Sequence, residues 1–400
     1  MIKEKTFKIF TLGCKVNQYE SQQMRESYLA KGYKELDNGE LADCYIINTC
    51  TVTANADKDS YAFIRKAERE NPKAKVYVTG CLVKNDRNRI REVSPLAQIL
   101  EKSAFRKGIS GFHAHTRAFL KIQDGCNNFC SYCKVPLVRS QIKSKPIKEI
   151  ISEARGLINN GYKEIVLCGI CLGKHGRDLK EKNDLVTVIK ALENIEGEFR
   201  LRLSSIEAGD VSERLIKQFE SSKKLCPHLH IPLQSGDGRI LKLMHRKYEA
   251  KDFIALVNKL KKRIPSLSIT TDVLVGFPTE NAENFKNTAR VLKAIMPLRT
   301  HIFPFSARPG TVAWQYHLKS GVPQDIVRER ASALKKLSDE LSYQFRKKFL
   351  NKELEVLCEG DTGYAQNYIL VDLGKNNGCT NEFLKVKVGR LDKKYTFAAG

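Results

Sequence analysis

Twelve cysteines occur in 400 residues, and six of them fall into two sets whose positions suit metal chemistry. The compact set is GCNNFCSYC, where Cys126, Cys130 and Cys133 form a C-x3-C-x2-C loop. Soft thiolates hold iron–sulfur clusters, and one short loop can bring three of them to a cubane while the fourth iron stays open to a substrate or cofactor. Zinc is the alternative metal, but a structural zinc takes four protein ligands and no fourth Cys or His lies close by in sequence. The dispersed set is Cys14, Cys50 and Cys81, in the contexts TLGC, NTC and TGC. The alternative for these is three buried structural cysteines, common for this residue type.

The elements around them explain how distant cysteines could meet. KIFTLG, CYIINT and KVYVTG read as short apolar strands followed by segments of helical spacing, a small parallel α/β domain over 1–100. Ligands of such sheets gather beyond the carboxyl ends of the strands, where all three cysteines would stand. Residues 96–116 are weakly patterned and read as a linker, with His113 and His115 facing solvent. From Ala118 to about Ala313, six β/α units (FLKI, EIVLC, FRLRLSS, HLHIPL, ITTDVLVGF, RTHIFPF) predict a whole or partial barrel. Ile326, Leu334, Leu337, Leu341 and Phe345 then mark a long basic helix, which completes a unit over 117–345. The remainder, 346–400, shows LEVLCE, NYILVDL, FLKVKVG and KYTFAA with turns between, a small β-barrel of a kind that often binds RNA.

Composition narrows the partners. Lys and Arg outnumber Asp and Glu by 69 to 45, a net charge of +24 that attracts phosphate backbones; a generally basic proteome is the bland alternative. Hydrophobic residues at 42% and charged ones at 28% leave enough apolar surface for real cores. MIKEKTFKIFTLG lacks a long apolar leader, and no window approaches the roughly 20 apolar residues of a membrane span. The expectation is a cytoplasmic protein without membrane contact, whose cysteines stay unpaired.

The C-x3-C-x2-C loop resembles that of the radical S-adenosylmethionine (SAM) superfamily. Together with the three N-terminal cysteines, KIQDGCNNFCSYCKVPLVR, RLSSIEAGD, CPHLHIPLQSGDGRILKLMHRKY, TTDVLVGFPTE and FPFSARPGT resemble the methylthiotransferase family over nearly the whole chain. PHLHIPLQSG, M-x-R-x-Y and GYAQNYI are most similar to the branch that modifies N6-threonylcarbamoyladenosine beside the tRNA anticodon. The resemblance implies two 4Fe–4S clusters and SAM as cofactors. Cys126, Cys130 and Cys133 would hold the cluster that cleaves SAM to a 5′-deoxyadenosyl radical. Cys14, Cys50 and Cys81 would hold an auxiliary cluster that carries the sulfur, and the tail would be a TRAM domain. Implied partners are tRNA, an electron donor such as a flavodoxin or ferredoxin, and a sulfur source. VRSQIKSKP departs from the family, which has Arg-Gly and further arginines there. Other readings are isopentenyl-adenosine in tRNA, a ribosomal-protein side chain as substrate, or a non-catalytic iron–sulfur binder of nucleic acid.

SAM would lie across the carboxyl ends of the barrel strands. Candidates by position are Gly169, Ser205 beside Ser204, Gln234, Ser235, Gly236 and Asp272, each of which is otherwise a turn glycine or a hydrogen-bonded core residue. Arg139 and Arg246 could grip a SAM carboxylate or an RNA phosphate, or form surface ion pairs. Cys44, Cys168, Cys171, Cys226, Cys358 and Cys379 read as buried thiols, although Cys168 and Cys171 form a C-x2-C pair near the expected SAM site.

Overall fold

The computed structural model describes residues 4–37, 39–101, 105, 108–113, 115–181, 183–374 and 378–399. Its first sheet is wholly parallel, in the order β2-β1-β3-β4-β5, with β1 Thr6–Thr11, β2 Lys34–Glu35, β3 Cys44–Thr49, β4 Lys75–Gly80 and β5 Gln98–Ile99. All six residues of β3 are buried, as a central strand covered by helices on both faces requires. Tyr45, Ile47, Val76 and Val78 pack on Ile64 and Ala67 of the helix Ala54–Glu70.

Six parallel strands build the second unit: β6 Arg117–Asp124, β8 Glu164–Gly169, β9 Arg200–Leu203, β10 His228–His230, β11 Ser268–Val275 and β12 Arg299–Pro304. A short antiparallel β7, Lys143–Ser144, flanks β6, and a bridge from Ser205 to His230 joins β9 to β10. The result is a partial barrel. Side chains alternate along each strand. Leu120, Ile122, Ile165, Leu167, Leu201, Leu203, Leu229, Ile269 and Val273 enter the large apolar core under the helices. The intervening residues, polar for the most part, line the interior: Arg117, Lys121, Glu164, Cys168, Arg200, Arg202, His228, His230, Thr270, Asp272 and His301.

The tail is a closed barrel in the order β13-β14-β15-β17-β16, from β13 Glu353–Glu359, β14 Thr362–Ala365, β15 Leu370–Asp372, β16 Thr380–Leu391 and β17 Thr396–Ala398. The sequence reading had missed β14, because TGYA is short and interrupted by Gly363. That glycine is needed there, since a Cβ would come within 2.5 Å of the Leu357 carbonyl oxygen. The stretch taken as a linker is strapped down. Ile109 and Phe112 are buried in the barrel's core, and the Glu26 carboxylate accepts the N–H groups of Ser110 (2.7 Å) and Gly111 (3.1 Å). His113 and His115 are both exposed as expected, with the His115 ring 5.1 Å from that of Phe112 and 6.0 Å from that of Phe119. Residues 102–104, 106, 107 and 114 lie outside the described residues. Among the described residues no helix is long and apolar enough to cross a membrane.

A buried ion cluster joins barrel and tail. Glu164, fully buried, accepts from Arg200 Nε and Arg202 Nε, both at 2.7 Å. The two guanidiniums continue to the carbonyls of Tyr364 (2.7 Å) and Gln366 (2.9 Å), while His228 stacks on Tyr368 at 4.4 Å. Glu164, Arg200 and His228 are the first residues of their strands, so the tail closes the amino end of the barrel, opposite the cysteine loops. Burial opposes ionisation of Glu164, but Arg202 and Arg200 outweigh it and hold the carboxyl well below its usual range. Glu164→Ala would leave two buried cations unpaired and should cost about 3–5 kcal/mol, read as a lower thermal midpoint with early proteolytic release of the tail. Because the folded pKa is depressed, this contribution is complete above the unfolded value near 4.5 and is lost as the pH falls below it, so wild type and variant should converge in acid.

Candidate metal centre and cofactor site

Cys14, Cys50 and Cys81 follow β1, β3 and β4, three neighbours in one sheet, so the ends of the strands bring them together. Two glycines make the turns. Gly13 has φ +97°, and a Cβ on it would lie 3.0 Å from Cys50 Sγ. Gly80, at φ +98°, has the Thr49 carbonyl oxygen 2.3 Å from where a Cβ would sit. These contacts explain why the sequence reads Gly-Cys at two strand ends, and they place Cys14 and Cys81 beside Cys50. Burial pushes the Cys50 thiol up to about 11, with the charges of Cys81 and Cys14 adding to the effect. Asn17 Nδ2 donates to the carbonyls of Leu12 (2.7 Å) and Thr49 (3.0 Å), which ties two of the turns together.

The second triad lies just past β6. Gly125 (φ +78°) turns the chain where a Cβ would collide with the Gln141 carbonyl oxygen at 1.9 Å. The Cys126 N–H donates to the Arg139 carbonyl at 3.0 Å and the Cys133 N–H to that of Cys130 at 3.0 Å, so the loop curls back on itself. Lys174 Nζ braces it from the β8 side through Asn127 Oδ1 at 2.5 Å and Asn128 Oδ1. The Cys171 thiol donates to Cys126 and lowers that thiol to about 7 against its burial; Cys171 is correspondingly raised. Burial pushes Cys133 up to about 12.

Both triads have cationic donors aimed at sulfur. Arg246 Nη1 lies 3.4 Å from Cys130 Sγ, and its guanidinium pairs with Glu207. Arg139 Nε lies 3.2 Å from Cys81 Sγ. Thiolates ligating iron carry charge that such donors stabilise, so the residues present fit iron–sulfur clusters better than neutral buried thiols. Two of the roles considered from sequence do not survive this burial. Side-chain exposure is 3% for Arg246 and 7% for Arg139, so neither is a surface ion pair and neither is free for an RNA phosphate.

Arg139 is the junction of the two triads. It follows the cluster loop of the barrel, yet its side chain enters the first helix of the N-terminal unit, Lys15–Leu29. Its Nη1 donates to Glu20 (2.9 Å) and Asp124 (2.8 Å), and its Nη2 to Asn17 Oδ1 (2.8 Å) and Glu20 (2.9 Å). Arg308, from SARPG, forms a second latch, to Thr51 Oγ1 at 3.1 Å and to Asp57. Sequence reasoning missed Glu20, Asn17, Asp124 and Glu207; only Asp124, beside the cysteine loop in QDG, carried a signal.

The proposed SAM contacts separate into groups. Gly169 ends β8, where a Cβ would meet Gln123 at 2.9 Å, and Gln123 Oε1 in turn accepts the Cys171 N–H at 2.7 Å. Ser205 forms the bridge to His230, and the neighbouring Ser204 Oγ is buried with no hydrogen-bond partner among the described residues. Gln234 adopts φ 64° and bridges Val273. Ser235 Oγ lies 3.4 Å from Thr288 Oγ1 and the Gly236 N–H donates to it at 2.9 Å, so both fix a turn to the helix Ala282–Ile295. Asp272 has the partner its burial demanded, His230 Nε2 at 3.1 Å. Of the remaining cysteines, Cys44, Cys168, Cys226 and Cys358 are buried, whereas Cys379 is only partly so; Cys171 is buried but engaged with Cys126.

Arg139→Gln removes the charge that offsets Glu20 and Asp124. A cost of about 3–5 kcal/mol is expected, together with loss of iron from the N-terminal triad. The check is thermal unfolding plus iron per chain, with Arg246→Gln as the comparison that should spare that triad.

Comparison with known proteins agrees with this geometry. The model of the uncharacterized protein family UPF0004 matches residues 6–101, and that of the radical SAM superfamily matches residues 120–292. Threonylcarbamoyladenosine tRNA methylthiotransferase MtaB of Thermotoga maritima is 36% identical over 98% of this chain and 96% of its own length. MtaB of Bacillus subtilis is also 36% identical, over 98% of this chain and 95% of its own. In fold, the chain is similar to the radical S-adenosylmethionine methyltransferase TsrM from Kitasatospora setae, solved with cobalamin and a 4Fe–4S cluster. The TM-score is 0.55 over 78% of this chain and 74% of that one, at 10% identity. The chain belongs to the radical-SAM methylthiotransferase family.

Proposed function

We infer that this protein adds a methylthio group to the adenine of N6-threonylcarbamoyladenosine next to the tRNA anticodon. The observation that carries the reading is the junction at Arg139, which makes one site of two cysteine triads, in a chain whose relatives named for that reaction match it from end to end. Residues 1–100 supply Cys14, Cys50 and Cys81 for the auxiliary cluster. Residues 117–345 supply Cys126, Cys130 and Cys133 for the SAM-binding cluster, and residues 346–400 act as the RNA-binding barrel. When bound, the clusters and SAM supply one-electron cleavage of SAM and a carrier for the inserted sulfur.

The chain's own part is to bind, orient and hold charge. Arg139 and Arg246 stabilise thiolate charge on Cys81 and Cys130, and Lys174 keeps the cysteine loop curled. Ser204 Oγ, unpartnered at the end of β9, is a polar contact for the nucleoside or for SAM. The polar interior also suits one side chain over the other: a threonylcarbamoyl group carries a carboxylate and hydrogen-bonding groups, whereas an isopentenyl group needs apolar walls. His230, Asp272 and His301 supply the polar kind.

The tRNA would approach along the free edge of β12. A cleft of about 740 Å³ runs there between the barrel, the helix Gln324–Lys347 and the tail, lined by Arg299, His301, Phe303, Lys335, Lys393 and Lys394. Over 346–400 the tail has ten Lys and Arg against seven Asp and Glu, a balance that favours RNA over a basic ribosomal protein. An acidic flavodoxin or ferredoxin would serve as electron donor, with a separate sulfur source, in the cytoplasm where tRNA is modified.

Mass spectrometry of tRNA nucleosides from cells lacking the gene should show loss of the methylthio form of threonylcarbamoyladenosine, restored on complementation; unchanged nucleosides would contradict the reading. With purified protein, Cys130→Ala should abolish SAM cleavage, whereas Cys50→Ala should retain cleavage and lose sulfur insertion.

A further inference from the structure

The barrel interior holds a second set of metal-ligating side chains that neither cysteine triad uses. His230 ends β10, and Asp272 of β11 stands in register with His301 of β12. One ring nitrogen from each histidine and one carboxylate oxygen of Asp272 lie within 4.8 Å of one another. Alternation directs all three inward, because their neighbours Leu229, Ile231 and Val273 belong to the apolar core on the other face.

Each residue is held as a ligand would be. His230 Nδ1 lies 2.9 Å from Thr270 Oγ1, which is itself 3.0 Å from His228 Nε2. That contact fixes the ring with Nε2 toward Asp272, at 3.1 Å, in the way that an outer partner orients a metal-binding histidine. Among the described residues the His301 ring has no hydrogen-bond partner; it meets the His230 ring at 5.8 Å and the Phe303 ring at 6.4 Å. His301 is therefore the ligand able to move. Ligation at about 2.1 Å needs each donor to shift by roughly 1 Å or less. Side-chain exposure is only 17% for His230 and 23% for Asp272, and a carboxylate shielded to this degree gains from a full positive charge beside it.

We propose that His230, Asp272 and His301 bind one divalent transition-metal ion inside the barrel, separate from both clusters. Two imidazoles and a carboxylate form a donor set suited to zinc or ferrous iron, and three protein ligands leave coordination positions open. The open side faces the interior and takes an anionic oxygen. Resting on the function proposed above, that oxygen belongs to the carboxylate of the threonylcarbamoyl group.

The test is equilibrium dialysis of the cluster-loaded protein against micromolar free zinc, with zinc and iron counted per chain. The expected result is one zinc per wild-type chain, with affinity weakened at least about tenfold in His301→Ala and Asp272→Asn at unchanged iron. If His301→Ala also loses iron, His301→Asn, which keeps more of the side-chain volume, decides by the same counts. No zinc retained by wild type, or equal retention by the variants, overturns the proposal. The readout does not involve tRNA, so it stands or falls apart from the activity.

Discussion

The guanidinium of Arg139 is buried where two units meet; its six hydrogen bonds run to Glu20, Asn17, Asp124 and Cys81, while its backbone carbonyl accepts the Cys126 N–H of the other triad. A cation so far from water is tolerated only when its donors are satisfied by charged and polar acceptors in good geometry. Lys121 adds a second cation beside the same carboxylates, at 3.0 Å from Glu20 and 3.2 Å from Asp124. The arrangement locks the first helix of the N-terminal unit onto β6, and the turn carrying Cys14 starts that helix. This ion network fixes the separation of the two triads, as the proposed transfer of chemistry from one to the other would need.

A division of labour between the two ends of the barrel follows. The carboxyl ends of the strands carry the cysteine loops and Gly169, while the amino ends, with Glu164 and its two arginines, are closed by the tail. On the proposed function, RNA held by the tail would reach the chemistry along the side of the barrel. The cleft beside β12 would be that route, since β12 pairs only with β11 and leaves its other edge unpaired among the described strands. Phe303, exposed at the end of that strand, offers a face on which a base can stack.

Much of this was legible in the sequence because the relevant signals are local. Glycines before Cys14 and Cys81, the single-loop spacing of Cys126, Cys130 and Cys133, and apolar strands of four to eight residues each express one short-range constraint. The junction was not legible. KVNQYESQQMRES has the composition of a solvated helix, yet Asn17 and Glu20 are buried against Arg139, and Ser21 against Thr11 and Asn48 of the sheet. Polar burial of that kind depends on a partner 119 residues away, which periodicity does not reveal. The anchoring of Ser235 and Gly236 was hidden for the same reason: Thr288, which holds that strand end to a later helix, lies more than fifty residues away.

The most direct measurement is a double-mutant cycle between Arg139 and Glu20, using Arg139→Gln, Glu20→Gln and the pair, with denaturant unfolding of the cluster-loaded protein. If the junction organises the site, the two changes are strongly coupled, by about 2 kcal/mol or more, and the pair is little worse than either single variant. Additive losses within about 0.5 kcal/mol would mean that the two residues act independently, and the claim that one ion network holds both triads together would be wrong.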